Sequence, residues 1–182
     1  MSTQTNISTL MLFVAISPWL AILCYYDSRY RRLPNVLTLG GFLIAVVVQF
    51  CLGGIASGVD SLISAFVCAG FLLIPFLLRA AGGGDVKMLL AVGAIIGTKR
   101  VLETLVYISF SGFFLAIFMI ILGLVSSKRL LHYLRCAFDW RYDRKKGKEN
   151  LPSRDSESVR IPFGVAIAMG VWTALIVEYF YY

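Results

Sequence analysis

Hydrophobic positions in this chain come in long, nearly unbroken runs, and polar ones gather between them. Six runs stand out, at approximately Thr9–Tyr26, Val36–Leu52, Leu62–Leu78, Val86–Gly97, Leu102–Val125 and Pro162–Tyr179. A helix needs about 20 apolar residues to cross a bilayer core about 30 Å thick. The fourth run is the exception, since its residues rise only about 18 Å. It is expected to begin earlier, near the glycines before it, or to hold its first turn below the membrane surface. The pattern predicts an all-α polytopic membrane protein of about six transmembrane helices. It reads as a single membrane-embedded domain over residues 1–182, with a polar loop at about 126–161.

Composition strengthens that reading. Hydrophobic residues make up 59% of the 182 positions and the mean hydropathy is +0.81. Soluble domains run near 45–50% apolar, and a soluble fold of this length has too little interior to hide the excess. The stretch before Asp27 carries no charged side chain. It lacks the basic region of a secretory signal and is expected to be a retained helix.

Charge adds an orientation. The net charge is +7, but it is localised. Arg29, Arg31 and Arg32 follow the first run, Arg79 and Lys87 flank the glycines, and ten more basic residues lie between Lys128 and Arg160. These alternate loops share one side of the membrane, and only Lys99 and Arg100 fall on the other. The positive-inside rule puts the three basic loops in the cytoplasm and both termini outside. The long loop then reads as a solvated segment near anionic membrane lipids rather than a nucleic-acid site, and "RLLHYLRCAFDWRY" as an amphipathic surface stretch. The four cysteines, Cys24, Cys51, Cys68 and Cys136, form no C-x-x-C pair. Neither they nor His132 supports a metal site or a disulfide framework, and no cofactor is expected.

With this topology two acids become informative. Asp27 lies at the cytoplasmic end of the first run and Asp85 at the cytoplasmic end of the fourth. If those two helices are neighbours, the carboxylates converge. Paired carboxylates share a proton, so one can take a proton from an attacking water while the other donates to a peptide carbonyl oxygen. Asp60, Glu103 and Glu178 map to the opposite side, and the remaining acids sit among the basic residues of the long loop. Gly82, Gly83 and Gly84 remove side chains just before Asp85, so an extended peptide could approach the backbone there. The plainer reading of Asp85 is a helix cap at a positive helix N-terminus.

Three stretches carry a family resemblance. "GGGDVKML" contains Gly82, Gly84, Asp85 and Lys87; "DSRYRRLPN" contains Asp27, Leu33, Pro34 and Asn35; "RIPFGVAIAMG" contains Ile161, Pro162, Phe163 and Gly164. Together, in order and in topological position, they resemble the type IV prepilin peptidases, membrane aspartic proteases of the Gly-x-Gly-Asp kind. The resemblance implies an inner-membrane endopeptidase that removes a short basic leader from a pilin-like precursor, on the cytoplasmic side, after a glycine. It implies Asp27 and Asp85 as the catalytic pair. Gly82, Gly83, Gly84, Lys87, Pro34, Asn35, Pro162 and Gly164 are then candidates to bind substrate or shape the site. Larger relatives carry a cysteine-bearing insert associated with zinc and methyl transfer. Here only five residues separate Asp27 from Leu33, so cleavage without methyl transfer is expected, as in the branch serving Flp-type (tight-adherence) pili. Contacts with a pilus-assembly complex are a further expectation, and an archaellin peptidase is a related reading.

Several of these residues have duller roles open to them. Pro34 and Pro162 suit helix starts. Asn35 could cap the second helix or orient Asp27, and Lys87 could mark the membrane boundary or touch substrate. Two other classes of protein also fit the composition. A small proton- or cation-coupled transporter would place its acids nearer the midplane, and a non-catalytic scaffold would tolerate loss of either aspartate.

Overall fold

The computed structural model describes residues 2–77, 81–122 and 163–181. The basic loop, Arg79, His132, Cys136 and Pro162 lie outside the described residues. Every regular element among them is a helix: α1 (Ser2–Tyr30), α2 (Asn35–Phe71), α3 (Leu73–Leu77), α4 (Gly83–Ile96), α5 (Thr98–Ile121) and α6 (Phe163–Tyr181).

The second and third apolar runs share one 37-residue element, α2, which breaks at Gly54 (φ 70°, ψ −169°). That left-handed backbone favours a residue without a Cβ. On a straight helix Ala45 and Ala65 would stand about 30 Å apart. Both instead lie in one small buried cluster with Ala94, and the Phe50 ring lies against Gly58. The chain therefore reverses at Gly54, and α2 is a hairpin of two arms.

Among the described residues four helices, α1, α2, α5 and α6, are long and apolar enough to cross a membrane. The expectation of about six spans is met in part. Two of the expected spans are the arms of one broken element. The fourth, α4, begins earlier than its apolar run, at Gly83, yet still has only 14 residues and rises about 21 Å.

Packing divides the helices into two groups. α4 lies against α2, while α6 lies against both α1 and α5. Small residues bring α2 and α4 close. A Cβ on Gly93 would meet the Ser64 carbonyl oxygen at 2.5 Å. The Ser61 and Ser64 hydroxyls donate to the carbonyls of Ala94 and Gly93 at 2.8 and 2.6 Å. Such close backbone approach and hydroxyl bonding are common between membrane helices. One apolar core joins the groups, with Leu20 and Leu23 of α1, Met88 and Leu89 of α4, Ile108 of α5 and Ile167 of α6 fully buried. Outward faces remain apolar. Phe110, Phe113 and Phe114 of α5 are 59–65% exposed, a surface suited to lipid rather than water.

Candidate active site

The bundle has two chemically distinct ends. At one, α1 finishes at Tyr30 and α2, α4 and α6 begin. Leu33, in the α1–α2 connection, would lie 3.1 Å from a Cβ on Gly84, so that connection touches the start of α4. At the other end, Arg100 pairs with Glu178 at 2.7 Å and donates to the Thr9 hydroxyl at 3.4 Å. Asp60 there accepts from both the hydroxyl and the amide of Thr98. Thr9 and Asp27 are separated along α1 by about 27 Å of helical rise, close to the thickness of a bilayer core.

Asp27 and Asp85 both lie at the first end, and they are the only buried acids among the described residues, 6% and 9% exposed. The remaining described acids, Asp60, Glu103 and Glu178, belong to the opposite end, as the sequence indicated. The two groups of helices each contribute one carboxylate. Asp27 comes from α1, whose main partner is α6, and Asp85 from α4, whose main partner is α2. α1 and α4 are thus linked through the shared core and through α6, rather than as a principal helix pair.

Asp27 sits four residues before Arg31, where α1 ends. Arg31 adopts φ 50°, and its amide donates to the Asp27 carbonyl at 2.9 Å. A left-handed residue just beyond the last turn is a common way to close a helix. The Asp27 side chain points at the first turn of α6, where the amides of Gly164 and Val165 act on it as backbone donors. Free amides at a helix N-terminus carry partial positive charge, which suits a carboxylate. Even so, Oδ2 of Asp27 is buried with no hydrogen-bond partner among the described residues. A buried unsatisfied acceptor costs about 1–3 kcal/mol, so this oxygen calls for an explanation beyond packing.

Asp85 is the third residue of α4, and its Oδ2 accepts from the Gly82 amide at 3.0 Å. The helix-capping reading of this residue is therefore realised. The glycine run is only partly outside the helix. Gly82 alone is extended (φ −80°, ψ 150°), while Gly83 and Gly84 already belong to α4. Gly84 faces Leu33, and Gly83 is exposed, with the Phe76 ring 3.5 Å from where its Cβ would stand.

The other candidates fall around the same end. Pro34 is the N-cap of α2, and its carbonyl accepts from the amides of Leu37 and Thr38 at 3.1 and 3.2 Å. Asn35 makes no side-chain cap. Its Oδ1 accepts from Lys87 Nζ at 2.9 Å, so the two residues tie the starts of α2 and α4 together. Sequence reasoning missed this pairing because it joins side chains 52 positions apart. Gly164 is buried against Asp27. No group of three or more potential metal ligands occurs among the described residues.

No curated protein and no solved structure matches the chain. A family model described as the type IV leader peptidase family matches residues 14–125. That span carries Asp27, Asp85 and the glycine run, and stops before α6. By this match over more than half of its length, the chain belongs to the type IV leader peptidase family.

Proposed function

We propose that this protein is a membrane aspartic endopeptidase that removes the leader from Flp-type prepilins, with Asp27 and Asp85 as its catalytic pair. The observation that carries the reading is that these two carboxylates, alone among the described acids, are buried, at one end of the bundle, in a chain of the leader peptidase family. In the reaction, one carboxylate takes a proton from water as its oxygen adds to the scissile carbonyl carbon. The other carboxyl group gives its proton to the carbonyl oxygen. The tetrahedral intermediate then collapses and the C–N bond breaks; the leaving nitrogen takes up the proton that the first carboxylate drew from water, while the second recovers its own from the intermediate's hydroxyl. The unpartnered Oδ2 of Asp27 suits the proton-accepting role.

The basic residues Arg29, Arg31 and Arg32 near Asp27 support a cytoplasmic location for this end under the positive-inside rule, in an inner-membrane protein with both termini outside. A precursor whose apolar helix lies in the membrane would then present its leader at this end, with the cut after a glycine. The chain has no counterpart of the cysteine-bearing insert of larger relatives between Asp27 and Leu33. Cleavage without methyl transfer follows from that.

The test is co-expression with a Flp-type prepilin, read by intact mass of the pilin. Leader loss with the wild type, and none with Asp27→Asn or Asp85→Asn at equal expression, is expected. Cleavage that survives either substitution removes that residue from the pair. A scaffold would support assembly with both variants, and cutting by all three proteins would point to a host protease.

A further inference from the structure

The family match ends before α6, yet the first turn of α6 packs against Asp27. An ideal Cβ built on Gly164 would stand 2.7 Å from Oδ2 of Asp27, 3.0 Å from its Cγ and 3.3 Å from its Cβ. Real side chains do not tolerate the first of these distances, so something must yield if residue 164 gains even a methyl group.

Neither helix can easily retreat. At Gly170 the α6 backbone lies directly against the backbone of Ile108 in α5. Ala166, Ile167, Ala168 and Val171 are fully buried, the Trp172 indole donates to Ser17 of α1 at 3.2 Å, and Glu178 is held by Arg100 at the far end. On the α1 side, Leu20 and Leu23 are fully buried. The group left to move is the carboxylate itself. Helical χ1 preferences leave it few alternative positions, and each takes it away from the amides of Gly164 and Val165.

We infer that Gly164 is a positioning residue: its missing side chain lets the first turn of α6 close on Asp27 and holds the carboxylate, with Oδ2 unpartnered, where it acts. This rests on the peptidase reading above for its effect on rate, but its structural half stands apart from that reading. Gly164 touches the carboxylate rather than the substrate, so its loss should appear in kcat. A misplacement of about 1 Å can cost about 100-fold in rate.

The experiment uses the full-length protein purified in detergent, with a Flp-type prepilin as substrate and a thermal unfolding midpoint measured for each variant. Gly164→Ala is expected to lower kcat by about 100-fold with KM changed less than about twofold. Gly40→Ala, at a site where an added Cβ meets nothing within 4 Å, should match the wild type in both readouts. The second readout is a stability cycle. Gly164→Ala should lower the midpoint in the wild-type background and not in the Asp27→Ala background, because the carboxylate it strikes is gone. Wild-type kcat in Gly164→Ala, or an equal midpoint drop in both backgrounds, overturns the inference. A wild type that cuts no prepilin would sink the peptidase reading instead, and the stability cycle would still decide the contact. Should Gly164→Ala fail to accumulate alone, its recovery when combined with Asp27→Ala supports the contact, and continued failure overturns it.

Discussion

Three aspartates among the described residues lie at helix N-termini, and they are not treated alike. At the end where Thr9 and Glu178 lie, Asp60 meets the start of α5 and both of its oxygens are satisfied, by the amide and the hydroxyl of Thr98. At the opposite end Asp85 accepts from the Gly82 amide at the start of α4. Asp27 faces the start of α6 and keeps one oxygen buried and unpartnered. The same device, a carboxylate at the positive end of a helix dipole, is spent on stability at one end. At the other end a carboxylate is held in place without being fully satisfied. Native structures tolerate that arrangement mainly where function requires it.

The comparison is most easily broken by exchanging the ends. Asp27→Asn or Asp85→Asn should lower cleavage by about 10²–10⁴-fold, the range for losing an acid–base group. Asp60→Asn should retain cleavage per folded molecule. Its effect should instead fall on stability: an amide can still accept from the Thr98 amide and donate to its hydroxyl, but both bonds lose the carboxylate charge, and a loss of about 1 kcal/mol is expected. Asp27→Ala should run the other way and gain about 1 kcal/mol, because it deletes a buried unsatisfied acceptor. Unfolding midpoints of Asp60→Asn and Asp27→Ala check the two signs. If Asp27→Ala melts below the wild type, Oδ2 is stabilising, and the contrast between the ends collapses.

A smaller effect tests whether the far end is purely structural. Arg100 is held between Glu178 and Thr9, and the paired side chains are only 26% and 15% exposed. Such a half-buried pair lies between surface ion pairs and fully buried ones, so Arg100→Ala should cost about 1–2 kcal/mol. Its kcat on prepilin should stay at the wild-type value once corrected for folded fraction. A large fall in kcat would mean that events at the two ends are coupled along α6.

How far these arrangements could be read from the chain depended on the range of the forces behind them. The apolar runs and the side-sharing of Asp27 and Asp85 follow from local hydropathy and from loop parity, and both were legible. So was the cap at Asp85, because a cap is a contact within one turn. The merging of two runs into a hairpin turns on the backbone of a single residue, Gly54, in a stretch with several other glycines. That the fourth helix could start near the glycines before Asp85 was legible, but how many of them it takes in was not. Packing of Gly84 against Leu33 and the Gly82–Asp85 bond favour a helix there. The approach of Gly164 to Asp27 joins residues 137 positions apart. Its one local signal was a glycine in the first turn of an apolar helix.

The least effect belongs to the residue pair whose roles sequence alone left open. Lys87 and Asn35 sit beside the buried acids, but their bond joins α2 to α4, which already share an extensive interface. The strap therefore adds little to a contact made elsewhere, and an exposed charge-assisted bond is worth about 0.5 kcal/mol. Lys87→Met and Asn35→Ala should each lower the midpoint slightly, and the double variant should lower it no further than either single one, the signature of a shared bond. Cleavage assays on the same variants sharpen the boundary of the site. If Lys87→Met reduces cleavage far more than Asn35→Ala, the ammonium acts on the substrate as well as on Asn35. The chemically active end of the bundle would then extend past its two carboxylates to a cation one half-turn further along α4.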